Sequence, residues 1–243
     1  HRDLHSFPTR RSSDLCRFVK PGVNEAEVEA EWAHEFIRHK GQFAYPPIIA
    51  SGANNNILHY GQNDQPCRKG ELLLLDVGAG LGNYMSDLTR TIPVSGRFTR
   101  RQKQVYHAVL RVFRQMVKAI VPGKTTKDLR TACEALIARE CVDLGLLKPA
   151  QLRKSTPDNP AAAPFFMHGV SHPIGLDVHD VTYNHYKIAP GWVLTCEPAI
   201  YIKEEGFGIR LENTILVTES GQQDLMAHIP IEADEIEALM NRR

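Results

Sequence analysis

Residues 72–90 read LLLLDVGAGLGNYMSDLTR, and no other stretch constrains the fold as tightly. Four leucines in a row suit a buried strand, yet Asp76 follows them without a break. Asp87 comes eleven residues later, with three glycines between the two acids. An ionised carboxylate in apolar surroundings costs several kcal/mol unless something offsets it. A hairpin turning at Leu81-Gly82 would set Asp76 and Asp87 directly opposite one another, since both are equidistant from that centre. Opposed residues of an antiparallel pair share a face, with Cβ atoms about 5 Å apart. Such a pair repels itself unless a cation lies between its members.

The pattern recurs later in the chain. Glu197, in WVLTCEPAIYI, and Glu212, in GIRLENTILV, are equidistant from Glu204-Glu205, where KEEGFG reads as a turn. Arg210 lies two residues before Glu212 and so shares its face. Four ionised carboxylates in one core carry a charge of about −4, which two divalent cations would neutralise. Taken singly, each acid could equally be a strand-edge residue or an ion-pair partner. Two symmetric placements inside apolar strands favour the metal reading.

FFMHGVSHPIGLDVHD holds His168, His172 and His179. A lone histidine in such a stretch is usually a core residue, but three beside an acid cluster are candidate ligands or proton carriers. His168 and His172 have helical spacing, while the glycines and Pro173 argue for an extended or turn segment. The H-E-x-x-H zinc pattern is absent, and oxygen-rich ligation suits Mn²⁺ or a similar ion better than thiolate-bound zinc.

The rest of the chain organises around these segments. NEAEVEAEWAHEFIRHKG reads as a helix capped by Asn24 and Glu27, with Val28, Trp32 and Phe36 as its apolar stripe and Gly41 as its stop. A Pro-, Gly- and Asn-rich stretch over 46–56 precedes ILHY. A second helix follows the Thr99–Gln102 capping box, and a third runs from Thr125 or Thr126 to Gly145. Residues 148–164, with four prolines, read as a loop; strand-like segments follow near 165–182, 191–202 and 208–218, then a short acidic helix. The expected fold class is α+β in one domain, with helices from 25 to 144 covering one face of a mostly antiparallel sheet.

Bulk properties exclude several classes. Apolar content of 42% and charged content of 23% are ordinary for a soluble protein, and a net charge of +1 suggests neither nucleic acid nor an anionic membrane as partner. No apolar run approaches the roughly 18 residues of a membrane span. Five scattered cysteines (Cys16, Cys67, Cys133, Cys141, Cys196) without a C-x-x-C argue against a disulfide framework and for a reducing cytoplasm. The opening HRDLHSFPTRRSSDL has neither helical nor strand period, and Asp3 and Asp14 argue against a transit peptide. It resembles translated sequencing-adapter read-through, so residues 1–15 are expected to be non-native and 16–243 to form the domain.

ILHY, the spacing of Asp76 and Asp87, HGVSHPIGLDVHD, CEPAIYI and GIRLENTILV together resemble the catalytic domain of Xaa-Pro aminopeptidases, in the M24 metallopeptidases with the pita-bread fold. The resemblance runs in order from about Cys16 to Met240. It implies a curved, mostly antiparallel sheet covered by helices. It also implies two divalent metals, Mn²⁺ expected with Co²⁺ or Zn²⁺ as alternatives, on Asp76, Asp87, His172, Glu197 and Glu212. The implied reaction is attack by a metal-activated hydroxide on the bond before a proline at the second position of a peptide. Glu197 would be general base then acid, His179 would stabilise the oxyanion, and His59 and His168 would shape the proline pocket. Arg210 would support the acidic ligands. The family's N-terminal domain is expected to be missing, and the full-length protein to be a dimer or tetramer. The alternatives are a prolidase acting on Xaa-Pro dipeptides, another enzyme of the same fold such as a methionine aminopeptidase, and an inactive pita-bread binding fragment.

Overall fold

A computed structural model describes residues 17–183 and 185–242. The expectation for residues 1–15, and Cys16 with it, lies outside the described residues. The first helix that lies wholly within the described residues, α1 (Glu25–Arg38), starts at a complete capping box: the Asn24 side chain accepts from the backbone, and the Asn24 N–H donates to Glu27 at 2.7 Å. Val28, Trp32 and Phe36 are buried, as the stripe predicts. The stop is one residue earlier than expected. Lys40, at φ 61°, takes the left-handed position, Lys40 N–H donates to Ile37 and Gly41 N–H to Phe36. This is the Schellman arrangement, with lysine where glycine is usual.

Strands β1 (Gln42–Phe43) and β2 (Ile48–Ser51) follow, so the Pro-, Gly- and Asn-rich stretch contains a fully buried strand before its single-turn 3₁₀ helix (Gly52–Asn56). β3 (Leu72–Asp76) pairs antiparallel with β2 on one side and with β6 (Thr89–Pro93) on the other. Leu72, Leu73 and Leu75 join the main apolar cluster and Leu74 packs with Ile48, Ala50 and Tyr60, so both faces of the strand are covered and the run needs no polar alternation. The tip of this hairpin is β4 (Ala79–Leu81) against β5 (Tyr84–Met85).

The hairpin register differs from the expected one. Leu81 pairs with Tyr84 and Asp76 with Thr89, so the turn is Gly82-Asn83, not Leu81-Gly82. Both turn residues have positive φ (57° and 68°), the signature of a type I′ turn, which only Gly, Asn or Asp adopt at low cost. Asp87 therefore stands diagonal to Asp76 rather than opposite it, still on the same face.

Helices α2 (Arg100–Ala119) and α3 (Thr126–Asp143) both carry the expected capping boxes, from Thr99 with Gln102 and from Thr125 with Asp128. α2 buries Val105, Tyr106, Val109, Val112, Phe113 and Met116, and packs on α3 and on the late strands. Residues 148–164 are not wholly loop: Pro149–Arg153 form a short helix, α4. Residues 165–182 form no strand, only a single bridge from Pro173 to Leu194. The backbone there turns repeatedly at glycine and proline, which leaves no run long enough to ladder.

β7 (Val193–Cys196) and β8 (Ala199–Ile202) lead into a short 3₁₀ turn, and β9 (Phe207–Arg210), β10 (Asn213–Thr218) and β11 (Gly221–Asp224) complete the strands. The register is the expected one. β8 pairs with β9 as Ala199 with Arg210, β7 with β10 as Cys196 with Asn213, and Glu197 faces Glu212 between the two. Every strand pair among the described residues is antiparallel. α5 (Ala233–Met240) is the terminal acidic helix. Apolar residues from Val19 to Leu239 join one buried cluster. Among the described residues no helix is long and apolar enough to cross a membrane.

Two threonines of β6 dock the hairpins side by side. Thr91 Oγ1 donates to the Arg210 carbonyl (3.1 Å), and Glu212 N–H donates to the Thr89 carbonyl (3.1 Å). Buried Arg90 locks the seam, donating to the carbonyls of Glu212 (2.7 Å) and Pro230 (2.8 Å) and to Asn213 Oδ1 (2.7 Å). Opposite Asp87, Gly78 has no room for a side chain: a Cβ there would lie 2.0 Å from the Ser86 carbonyl oxygen and 2.6 Å from the Tyr45 ring. Gly78→Ala should therefore cost about 3 kcal/mol, a fall in Tm of roughly 6–12 °C. Gly61→Ala, with nothing within 4 Å of its added Cβ, should leave Tm unchanged by thermal denaturation.

Candidate metal centre

The two hairpins open onto one cavity of about 600 Å³, whose wall includes Asp76, Asp87, Glu197 and Glu212. Asp76 ends β3, Asp87 precedes β6, and Glu197 and Glu212 occupy the two breaks in the second hairpin. His59, His168, His172, His179 and Arg210 line the same cavity, so every residue expected at the site reaches it.

Each acid has a defined neighbour. Arg210 Nη2 donates to Asp76 Oδ2, while its Nη1 donates to Tyr201 OH (2.9 Å) and its Nε to Thr89 Oγ1 (3.1 Å). Thr89 Oγ1 in turn donates to Glu212 Oε2 at 2.6 Å. Thr195 Oγ1 donates to Glu197 Oε1 (3.1 Å) and accepts from the His172 N–H (3.1 Å). Tyr45 OH lies within hydrogen-bond reach of one oxygen of Asp76 and one of Asp87.

Asp87, His172 and Glu212 form the tightest group, each offering one ligand atom with all three atoms within 4.8 Å of one another. His172 Nε2 lies 3.5 Å from both Asp87 Oδ2 and Glu197 Oε1. Asp76 and Glu197 line the cavity beside this group. Glu212 Oε1 is buried without a hydrogen-bond partner. A buried carboxylate oxygen left bare is costly, and its lone pairs are free for a cation.

The electrostatics match this geometry. Burial is the main cause that raises the Asp76 carboxyl to about 6, against the pull of Arg210 and with the push of Asp87. Burial likewise raises Glu197 to about 7 and Glu212 well above the ordinary carboxylate range, where Asp87 and Glu197 add repulsion. For His172 burial works downward, but the bond to Asp87 and the attraction of Glu197 outweigh it and hold the imidazole up at about 9. His168 is pushed down to about 3, first by burial and then by Arg210. Burial and the neighbouring His172 also lower His179, whose ring centroid lies 4.2 Å from that of His172. The raised carboxyls share one physical cause, acids crowded in a buried site, which a bound cation would relieve.

Sequence reasoning missed Tyr45, Thr89, Thr195 and Tyr201. Tyr45 sits in FAYPP, where no periodicity marks it. Its one signal is Gly78, whose bare Cα leaves the space that the Tyr45 ring fills.

Residues 12–219 match the metallopeptidase family M24. The chain is 39% identical to the Xaa-Pro aminopeptidase of Haemophilus influenzae over 92% of its own length and 54% of that protein's. It is 39% identical to the Xaa-Pro aminopeptidase of Escherichia coli over 98% of its length and 56% of that protein's. It therefore spans about half the length of the curated relatives it matches. The structure of zinc-substituted E. coli aminopeptidase P in complex with product superposes with a TM-score of 0.92 at 36% identity, over 98% of this chain and 57% of that one. The paired acid hairpins, the cavity they share and these similarities lead to one conclusion: the chain belongs to metallopeptidase family M24 and has the pita-bread fold of aminopeptidase P.

Proposed function

We propose that residues 16–243 are the catalytic part of a metallo-aminopeptidase that releases the N-terminal residue of peptides with proline in second place. The observation that carries this reading is the convergence of four carboxylates and four histidines on one cavity, with Glu212 Oε1 buried and unpartnered. The substrate class is taken from the Xaa-Pro aminopeptidases of H. influenzae and E. coli. Four free buried cysteines among the described residues suit a reducing cytoplasm.

Asp76, Asp87, His172, Glu197 and Glu212 would hold two divalent cations. Their donor set, rich in oxygen with one imidazole, fits Mn²⁺, with Co²⁺ or Zn²⁺ as substitutes. When bound, such a pair supplies Lewis acidity and brings the pKa of a water toward neutrality. The chain's own groups do the rest. Glu197, oriented by Thr195, takes a proton at one carboxylate oxygen and returns it to the leaving amine. His179 donates to the oxygen of the scissile carbonyl as charge develops there. His168 is held by the Tyr201 hydroxyl at 3.0 Å and, with His59, shapes the wall that receives proline. Arg210 keeps Asp76 aimed inward.

Mn²⁺-dependent release of alanine from Ala-Pro-Ala, but not from Ala-Pro or Ala-Ala-Ala, is the expected outcome. Cleavage of Ala-Pro alone would move the reading to a prolidase, and no cleavage with metal bound would leave an inactive fragment.

Asp87→Ala should lose bound metal by elemental analysis. His179→Ala should keep its metal and lose kcat/KM by about 10²–10³-fold; full activity in that variant would remove its oxyanion role. Cation binding should also expel protons. At pH 7 His172, held up at about 9, carries its proton and Glu197, at about 7, is about half protonated, and a ligating imidazole and carboxylate cannot keep these protons. Calorimetric titration with Mn²⁺ in buffers of different ionisation enthalpy should show release of about one proton or more per chain. Apparent affinity should rise with pH between 6 and 8.

A further inference from the structure

Glu25 opens α1, is wholly buried, and takes no part in lining the cavity. A buried carboxylate destabilises a fold unless donors satisfy it, and here four do. Ser51 N–H and Ser51 Oγ each donate to Oε1 at 2.7 Å. Tyr60 OH donates to Oε2 at 2.8 Å, and Gln65 N–H does so at 3.0 Å. The positive end of the α1 dipole adds to the stabilisation.

These donors share one feature. Ser51 ends β2, Gln65 precedes Pro66, which bridges back to Asn24, and Tyr60 lies between them. A single carboxylate therefore grips both ends and the middle of segment 51–65. That segment carries Leu58, His59, Tyr60 and Gly61, which line the cavity that Asp76 and Glu197 also line. His59 itself is exposed on a turn, whereas Tyr60 is 4% exposed, its ring packed on Ile48, Ala50 and Leu74. The buried neighbour determines where the exposed histidine stands. Asn63 reinforces the grip, accepting from Ile49 N–H (3.0 Å) and donating to the Pro47 carbonyl (2.9 Å).

We infer that Glu25 is a positioning residue for the substrate pocket, acting through the Tyr60 hydroxyl to fix the turn that presents His59 to the peptide. It acts on the pocket wall and not on the acidic cluster, because all four donors belong to segment 51–65 and none to the two acid hairpins. The inference rests on the aminopeptidase reading for the nature of the substrate, but its structural part does not.

The test compares Tyr60→Phe and Glu25→Gln, alone and in a His59→Ala background. Tyr60→Phe keeps the packed ring and removes only the hydroxyl. Bound Mn²⁺ per chain should stay unchanged, while KM for Ala-Pro-Ala rises about tenfold and kcat changes less than about twofold. In the His59→Ala background the same substitution should add nothing, since it acts through that residue. Additive effects, or a fall in kcat with KM unchanged, would overturn the inference. The imidazole NMR signals of the histidines provide a reading independent of activity. Tyr60→Phe should move the His59 signals and leave those of His168 and His172 in place; unmoved His59 signals would overturn the proposal. Should the unaltered chain fail to cleave Ala-Pro-Ala, the functional reading fails, and the His59 signals still decide this one.

Discussion

Mutual repulsion among Asp76, Asp87, Glu197 and Glu212 is the constraint around which this fold is built. Four carboxylates on one cavity would drive two unsupported hairpins apart. The chain holds them with groups arranged behind the cluster. Arg210 reaches Asp76, Tyr201 and Thr89, and Thr89 reaches Glu212, so one guanidinium links both hairpins. Arg90 does the same for the backbone, taking the Glu212 carbonyl and the C-terminal segment together. Such support still leaves Glu212 Oε1, on a residue that lines the cavity, buried without a hydrogen-bond partner. A bare carboxylate oxygen among buried acids whose pKa values are pushed up by burial and by one another marks a candidate functional site.

The second hairpin was legible from sequence to the residue. Glu197 and Glu212 face each other as their symmetric placement about Glu204-Glu205 requires, because Gly206 at φ 69° closes the turn there. The first was legible as a hairpin and off by one step in its turn. Gly82-Asn83 and Leu81-Gly82 both contain turn-forming residues, and only the pair of positive φ angles separates them. The shift leaves Asp76 and Asp87 on one face, so the chemical reading survived the error. A single-residue slip of one strand would have put them on opposite faces.

Helix starts were equally legible, since capping boxes are local: Asn24 with Glu27, Thr99 with Gln102 and Thr125 with Asp128 all form. What sequence could not supply was long-range. Tyr45 meets Asp76 and Asp87 only through tertiary packing, across a glycine whose bareness is its one trace. The histidine segment carries its residues into the cavity through bends and irregular backbone, so the helical spacing of His168 and His172 goes unused and the extended-or-turn reading describes it. Glu25 presents itself in sequence as a first-turn acid of a helix, which it is, while its hold on segment 51–65 depends on contacts far along the chain.

The most direct test of the account is anomalous diffraction from crystals of the chain grown with Mn²⁺, recorded on both sides of the manganese edge. Two peaks are expected inside the cavity, bounded by Asp76, Asp87, His172, Glu197 and Glu212, with Glu212 Oε1 turned toward one of them. A cavity without manganese peaks, its four carboxylates held together by protons alone, would contradict it.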